Sequence, residues 1–191
     1  MQANPRKTTS IRNLGTIELG SVRDDILAIP PEVWEQENAG KPNRYGVLDQ
    51  TQHIIFRFIS SPDDWRAFYD RPPWAAWAGR LEPLLQQATA AYGYRRGAFP
   101  RILLARMPPG GVIHAHVDSN PAAQWPHKIH VPILTNPDVS FFIGPQRFHL
   151  EVGQAYEVNN LVTHAVQNLG ATYRIHLIFE YYDEDQEVVA A

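Results

Sequence analysis

The hydrophobic and polar pattern of this chain changes character near residue 99. From there on, short segments rich in β-branched and aromatic residues alternate with turns that contain Pro or Gly. Strand-like segments of this length and spacing are typical of a jelly roll or a related sandwich. We therefore predict a mainly β protein with a core over residues 99–182. The eight predicted strands are 101–107, 112–117, 128–134, 140–143, 146–150, 154–158, 164–168 and 173–182.

Residues 14–98 have a mixed, partly helical pattern. Between Pro72 and Tyr92, apolar residues recur at helical spacing, which predicts the main helix, with Pro83 either kinking it or restarting it. We expect this helix to cover one face of a sheet. A serine-capped helical turn is predicted over 21–27. The remaining predictions are a loose terminus over 1–13, short strands over 16–19 and 51–59, and a turn-rich stretch over 35–43.

Length and composition favour a single small enzyme domain over residues 14–191. The 191 residues include no Cys, so a metal must be held by His, Asp or Glu. The net charge of −3 leaves no basic stripe for nucleic acid, and no apolar run approaches the length of a membrane span. The polar start of the chain has no apolar signal region. We therefore expect a cytoplasmic protein whose partner is a small molecule or peptide.

The most informative chemistry is His116-Val117-Asp118, followed by His164 and then Arg174. Two imidazoles and one carboxylate can form a facial triad for non-heme Fe(II), which leaves positions open for a co-substrate and O₂. Strand alternation also places His114 on the face of His116, so a cupin-type pair of these two histidines remains an alternative. Arg174 could clamp a carboxylate of the co-substrate, on a strand expected to pair beside the one bearing His164.

The ordered set of motifs resembles the aspartyl/asparaginyl β-hydroxylase family of Fe(II)/2-oxoglutarate-dependent dioxygenases. The resemblance covers 101–182, a little under half of the chain. The ten-residue spacing from histidine to arginine is its most specific element. The matching residues are Pro109-Gly110-Gly111, His116 with Asp118, Lys128-Ile129-His130-Val131-Pro132, Gly153 with Val158, and His164 with Arg174.

This resemblance implies a double-stranded β-helix, cupin-like in form, with flanking N-terminal helices. It implies Fe(II) on His116, Asp118 and His164. It further implies 2-oxoglutarate held at one end by Arg174 and at the other by the strand with Lys128 and His130, although the family usually has arginine where Lys128 stands. The implied reaction uses O₂, releases succinate and CO₂, and hydroxylates an amino-acid residue, free or in a peptide, with Asp/Asn-type β-hydroxylation as one form.

Further polar residues are candidates for substrate contacts or for orienting the metal ligands. His176 follows Arg174 by two residues and so shares its face. Asn168 and Asn160 could hydrogen-bond to ligands, and Arg106 could face the cavity. His114 belongs to this group if it does not bind the metal.

Two other functional classes remain open at this level. One is a cupin-type metalloenzyme that uses His114, His116 and His164 without 2-oxoglutarate. The other is a non-catalytic jelly-roll module that binds a small acidic ligand.

Overall fold

Two antiparallel sheets face each other in the computed structural model, which describes residues 7–185. Three helices precede the eight strands of the core: α1 Gly20–Leu27, α2 Pro31–Ala39 and α3 Pro73–Thr89. The strands are β1 Ile11–Thr16, β2 Gln52–Ser61, β3 Asp64–Asp70, β4 Gly97–Ala98, β5 Ile102–Met107, β6 Val112–His116, β7 His127–Leu134, β8 Val139–Ile143, β9 Gln146–Phe148, β10 Gln154–Val158, β11 His164–Asn168 and β12 Arg174–Asp183.

The core strands divide evenly between the two sheets. The large sheet has the order β1-β10-β7-β12-β5-β2-β3, with β4 pairing to β12, and the small sheet has the order β6-β11-β8-β9. Four of the eight core strands, β5, β7, β10 and β12, lie in the large sheet and the other four form the small one. This arrangement confirms the predicted mainly β, double-stranded β-helix, and all eight strands expected from the sequence are present.

The large sheet has two faces of different character. Its outer face is apolar and packs against the helices, where α3 contributes Trp74, Leu81 and Leu85 to the main core. On β12 the residues that join this core are the odd-numbered ones, Ile175 to Tyr181. Because successive side chains point to opposite faces of a strand, the even-numbered residues of β12 face the small sheet. The interior between the sheets therefore receives polar side chains.

The main helix covers the large sheet as expected. It runs without a break from Pro73 to Thr89 and includes Pro83 within it, so Pro83 does not restart the helix. No helix within residues 7–185 combines the length and the hydrophobicity needed to cross a membrane.

Three predictions for the N-terminal half are wrong in detail. The stretch 35–43 was expected to be turn-rich, but α2 extends over Pro31–Ala39 because Trp34 buries itself in the core. The first strand is Ile11–Thr16 rather than 16–19, so the loose segment cannot extend to residue 13. Its partner β10 would otherwise be a sheet edge with unpaired backbone groups, and that edge captures the chain. Residues 1–6 lie outside the described part of the chain.

Replacing Leu104 with alanine should destabilise the protein by about 2 to 5 kcal/mol, because a fully buried leucine loses its contacts and leaves a cavity. Urea denaturation followed by circular dichroism measures the change. Leu169→Ala is the matched control, since that side chain is 69% exposed and its loss should cost less than about 0.5 kcal/mol. Equal losses for the two variants would contradict the assigned core.

Candidate metal centre and co-substrate cavity

Three potential metal ligands converge between the two sheets. One ligand atom from each of His116, Asp118 and His164 lies within 4.8 Å of the others. His116 ends β6 and His164 begins β11, and the two residues are direct partners in the small sheet, with ring centroids 4.2 Å apart. Asp118 follows two residues after His116, and its Oδ1 lies 3.7 Å from His116 Nε2. Two histidines and one carboxylate on one side of a common point fit the facial triad of Fe(II).

Backbone carbonyls set the tautomers of both histidines. The Nδ1 of His116 lies 2.8 Å from the carbonyl oxygen of His114, and the Nδ1 of His164 lies 3.0 Å from that of Val162. A carbonyl oxygen only accepts, so each Nδ1 carries the proton and each Nε2 keeps its lone pair for a metal. Burial, together with the nearby Lys128, lowers the pKa of His164 to about 4. That imidazole is therefore neutral at physiological pH, as a ligand must be.

An irregularity in β6 separates His114 from the triad. On β11, His164 and Val166 are two residues apart, but their partners on β6, His116 and Ile113, are three residues apart. The strand β6 therefore carries one extra residue at this point. Such a bulge resets the alternation of side chains. Ile113 and His116 both turn inward, whereas His114 is exposed. The expected common face of His114 and His116 is therefore wrong, and the cupin-type set with His114 is not assembled.

Asp118 is held by two donors on the oxygen that does not face His116. Its Oδ2 accepts a hydrogen bond from Lys128 Nζ and another from Asn160 Nδ2 at 3.1 Å. Burial by itself would raise the pKa of Asp118, but the Lys128 ammonium and these hydrogen bonds outweigh burial and hold the pKa far below its usual range. The carboxylate is ionised, with Oδ1 left for a metal. Lys128 lines the cavity and forms an ion pair with Asp118.

Arg174 is a buried guanidinium that lacks a carboxylate partner among residues 7–185. Its residue is 1% exposed and lines the same cavity as the triad. One NH₂ group donates to His176 Nδ1 at 2.7 Å, and Nε has no hydrogen-bond partner. Burial lowers the pKa of Arg174 to about 9, so it still carries its charge at neutral pH. A buried, unpaired cation is costly, and an incoming carboxylate would relieve that cost.

The position of Arg174 in the fold differs from the expected one. We expected its strand to pair beside the strand of His164. The structure instead places β11 in the small sheet and β12 in the large sheet, so Arg174 and His164 face each other across the interior. In this jelly roll most consecutive core strands, β11 and β12 among them, lie in different sheets, so neighbours in sequence need not be neighbours in a sheet.

The histidines around Arg174 form a small buried group. His130 lines the cavity, and its Nδ1 lies 3.4 Å from Nδ1 of His176. Burial, reinforced by the charge of Arg174, lowers the pKa of both histidines well below the usual range. His176 does not line the cavity, and its Nδ1 instead accepts the hydrogen bond from the Arg174 guanidinium.

Two other candidates lie away from the cavity. Arg106 extends from the helix-facing side of β5, where it hydrogen-bonds to Gln52 and its guanidinium lies 4.6 Å from the ring centroid of Trp34. Asn168 sits at the far end of β11 and donates to the carbonyls of Pro108 and Thr172. Arg106 lies away from the cavity because strand alternation turns it to the helix-facing side of β5. Asn168 lies away from it because it is about 13 Å along the strand from His164. Both have structural roles, and neither lines the cavity.

Sequence reasoning missed several residues that line the cavity. Arg101 and Glu180 form a buried ion pair there, with Phe58 beneath the guanidinium. Glu180 has the same parity as Arg174 on β12, which is a signal that the sequence contained. His53 also lines the cavity and is bonded to Asn43 and to Thr51. Burial lowers its pKa to about 3. No motif in the sequence includes His53, and only the tertiary fold brings it to the cavity of Arg174.

Comparisons with known proteins bear on the family and the fold. The family model for aspartyl/asparaginyl β-hydroxylase matches residues 22–184. An oxidoreductase of the 2OG-Fe(II) oxygenase family from Burkholderia pseudomallei is similar in structure, with 16% identity, a TM-score of 0.53, and coverage of 69% of this chain and 65% of that chain. This chain therefore spans just under two thirds of that relative. No protein of curated function matches the chain.

Two further solved structures are similar over nearly their whole length. A viral collagen prolyl hydroxylase from Paramecium bursaria Chlorella virus-1, determined with 2OG, has 10% identity and a TM-score of 0.56, and the match covers 92% of this chain and 96% of that one. A prolyl-4-hydroxylase from Pseudomonas putida has 13% identity and a TM-score of 0.51, with coverage of 93% and 94%. At these identities the likeness shows the fold alone.

The double-stranded β-helix and its His-x-Asp and His triad define a class of jelly-roll protein with a candidate site for Fe(II) between its two sheets. Within that class, the chain belongs to the aspartyl/asparaginyl β-hydroxylase family.

His116→Ala should weaken Mn(II) binding by more than about 100-fold, because even the loss of a group that only supports a ligand costs about 10- to 100-fold. Titration calorimetry with Mn(II) under conditions without 2-oxoglutarate measures this. His114→Ala is the matched control two residues away, and its affinity should stay close to that of the wild type. A loss of binding in His114→Ala would restore the cupin-type ligand set.

Proposed function

We propose that this protein is a hydroxylase that uses Fe(II), 2-oxoglutarate and O₂ to hydroxylate an amino-acid residue, either as a free amino acid or within a peptide. Succinate and CO₂ are the other products. The observation that carries the proposal is the unpaired Arg174 in the same cavity as the triad. A metal site alone would suit many enzymes. A metal site in one cavity with a buried guanidinium that has no carboxylate partner among residues 7–185 suits a co-substrate with a carboxylate at its far end.

The triad would hold the metal through three defined atoms. These are the Nε2 atoms of His116 and His164, which backbone carbonyls leave unprotonated, and Oδ1 of Asp118. When bound there, Fe(II) together with 2-oxoglutarate and O₂ supplies the oxidising chemistry that inserts oxygen into a C–H bond. The chain's contribution is to fix the geometry of the three ligands and to leave the opposite side open.

Arg174 would bind the distal carboxylate of 2-oxoglutarate. A guanidinium offers parallel N–H donors that match the two oxygens of a carboxylate. His176 accepts from one NH₂ group and so holds the fork in place, while His130 stands beside it on β7. Because Arg174 is fully buried, the pair would form away from water, where charge-assisted hydrogen bonds are stronger.

Apolar side chains would exclude water from the space between Arg174 and the triad. Those lining the cavity include Ile113, Phe141, Val158 and Val166. Lys128 would stay with Asp118, in agreement with its ion pair, and support the metal site rather than grip 2-oxoglutarate through a fork.

The substrate would lie beside the ion pair of Arg101 and Glu180. This pair lines the cavity together with Asn120 from the loop that follows Asp118, and Asn120 accepts from Arg101 at 3.4 Å. Membership in the aspartyl/asparaginyl β-hydroxylase family supports an amino-acid residue as the group that is oxidised.

Anaerobic Fe(II) and 2-oxoglutarate should together produce a visible metal-to-ligand charge-transfer band with the wild-type protein, because the keto acid chelates the metal. In Arg174→Ala the band should need roughly 30-fold or more 2-oxoglutarate, since losing one side of a buried charge pair costs about 2 kcal/mol or more. Absorption titration measures both. Removal of an unpaired buried charge should not itself unfold the protein.

Arg106→Ala is the matched control for this titration. Arg106 is also an arginine of low exposure, but it faces the helices and stacks on Trp34. Its band should appear at the wild-type concentration of 2-oxoglutarate. If iron binds but no band forms in the wild type, the assignment of 2-oxoglutarate is wrong. If the band forms in the wild type, succinate release is measured next with aspartate, asparagine, proline and peptides that contain them, and the compound that stimulates it is the substrate.

A further inference from the structure

The start of the described chain is fastened to the loop that precedes His164. We call residues 7–16 the N-terminal strap; it lies outside the residues 22–184 matched by the family model. Its strand β1 pairs with β10, and the carbonyl oxygens of Thr8 and Ser10 accept hydrogen bonds from the side chain and backbone of Asn159, both at 2.8 Å. The strap therefore reaches the segment between β10 and β11.

Lys7 is the residue of the strap that points deepest. It is only 9% exposed, and its Nζ donates to Asn160 Oδ1 at 2.8 Å, to the carbonyl of Ala123 at 3.3 Å and to the carbonyl of Pro126. Three partners satisfy the three donors of an ammonium group. Burial, partly offset by the charge of Glu180, lowers the pKa of Lys7 to about 8, so the ammonium form still prevails at neutral pH.

Lys7 determines which way the amide of Asn160 faces. An ammonium can only donate, so the amide atom that it contacts must be the oxygen. The amide nitrogen then points to the other side, where it donates to Asp118 Oδ2 at 3.1 Å and to the carbonyl of Ala123 at 3.2 Å. The backbone of Asn160 adds a further link, since its carbonyl accepts from Asp118 N at 3.0 Å. The reverse orientation would set two donors together and place an oxygen against the carboxylate.

We propose that Lys7 is a positioning residue of the metal centre: through Asn160 it holds Asp118 so that Oδ1 faces His116 and His164. The inference rests on the metal site of the proposed function and adds to it a residue from the strap. Lys7 and Asn160 are 153 positions apart in the chain, so only the folded structure brings them together. Lys128 supports the same oxygen of Asp118 from the opposite sheet, which makes two independent supports for one ligand.

The test is the affinity of the full chain for Mn(II) without 2-oxoglutarate, measured by the loss of the free Mn(II) signal in electron paramagnetic resonance. Lys7→Met keeps the apolar stem and removes the ammonium, and it should raise the Kd for Mn(II) by about tenfold or more. Melting temperature is recorded for every variant. A residue that served stability alone would lower the melting temperature and leave this Kd unchanged.

Lys41→Met is the matched control. Lys41 is also 9% exposed, and its Nζ likewise donates to backbone carbonyls, those of Thr51 and Leu48 at 3.0 and 3.5 Å. It makes no hydrogen bond to Asp118 or Asn160. We expect Lys41→Met to lose stability as Lys7→Met does, with a Kd for Mn(II) within about twofold of the wild type.

Two further variants test the route through Asn160. In Lys7→Met combined with Asn160→Ala, the Kd should equal that of Asn160→Ala alone, because a residue that acts only through its neighbour adds nothing once the neighbour is removed. Asn160→Asp keeps the size of the side chain and a partner for Lys7, but it replaces the donor facing Asp118 by an acceptor. It should weaken Mn(II) binding at least as much as Lys7→Met, and it carries the test if Lys7→Met does not fold.

Three results would overturn the inference. An unchanged Kd in Lys7→Met, or in Asn160→Asp if that variant carries the test, assigns Lys7 to the stability of the strap alone. Additive effects in the double variant show that Lys7 does not act through Asn160. A wild-type protein that binds no Mn(II) refutes the metal site itself and the positioning role with it, and this failure is distinct because it appears before any variant is made.

Discussion

The period of two along β12 is the constraint on which the rest of this structure depends. The strand lies between β5 and β7 in the middle of the large sheet, so neither of its faces meets solvent broadly. Its odd-numbered side chains complete the apolar core under the helices, and its even-numbered side chains, Arg174, His176, Ile178 and Glu180, face the small sheet. A shift of one residue would exchange the two sets and place charges in the core.

Buried charge is tolerated in the cavity because nearly every charged group there has a partner. Asp118 is paired with Lys128, and Glu180 with Arg101. Arg174 is the exception, and it is also the most deeply buried of these groups. A folded protein keeps an uncompensated buried cation only when something else offsets its cost, and a bound dicarboxylate offers that compensation. The proposed binding of 2-oxoglutarate thus rests on the uncompensated charge of Arg174 as much as on the triad.

The metal centre depends on contacts that no local pattern contains. The bulge in β6 turns His116 inward and His114 outward, although the alternation of an ideal strand would place both on one face. Arg106 has the residue type of a cavity group but faces the helices. Lys7 belongs to a segment that looked unstructured, yet its ammonium lies one side chain away from Asp118. Each of these outcomes depends on strand pairing between distant segments.

The sequence by itself determined the class of fold, the eight core strands and the main helix, and it singled out His116, Asp118, His164 and Arg174 while a cupin-type set with His114 stayed open. Short-range periodicity and the order of the motifs carry that information, because strand alternation and ligand chemistry are local properties. The tertiary structure alone decided that Arg174 faces His164 from the opposite sheet, that His114 lies outside the triad, and that Lys7, His53, Arg101 and Glu180 gather around the site. Sheet membership, bulges and the capture of a free edge are set by long-range hydrogen bonding, which a one-dimensional pattern does not encode.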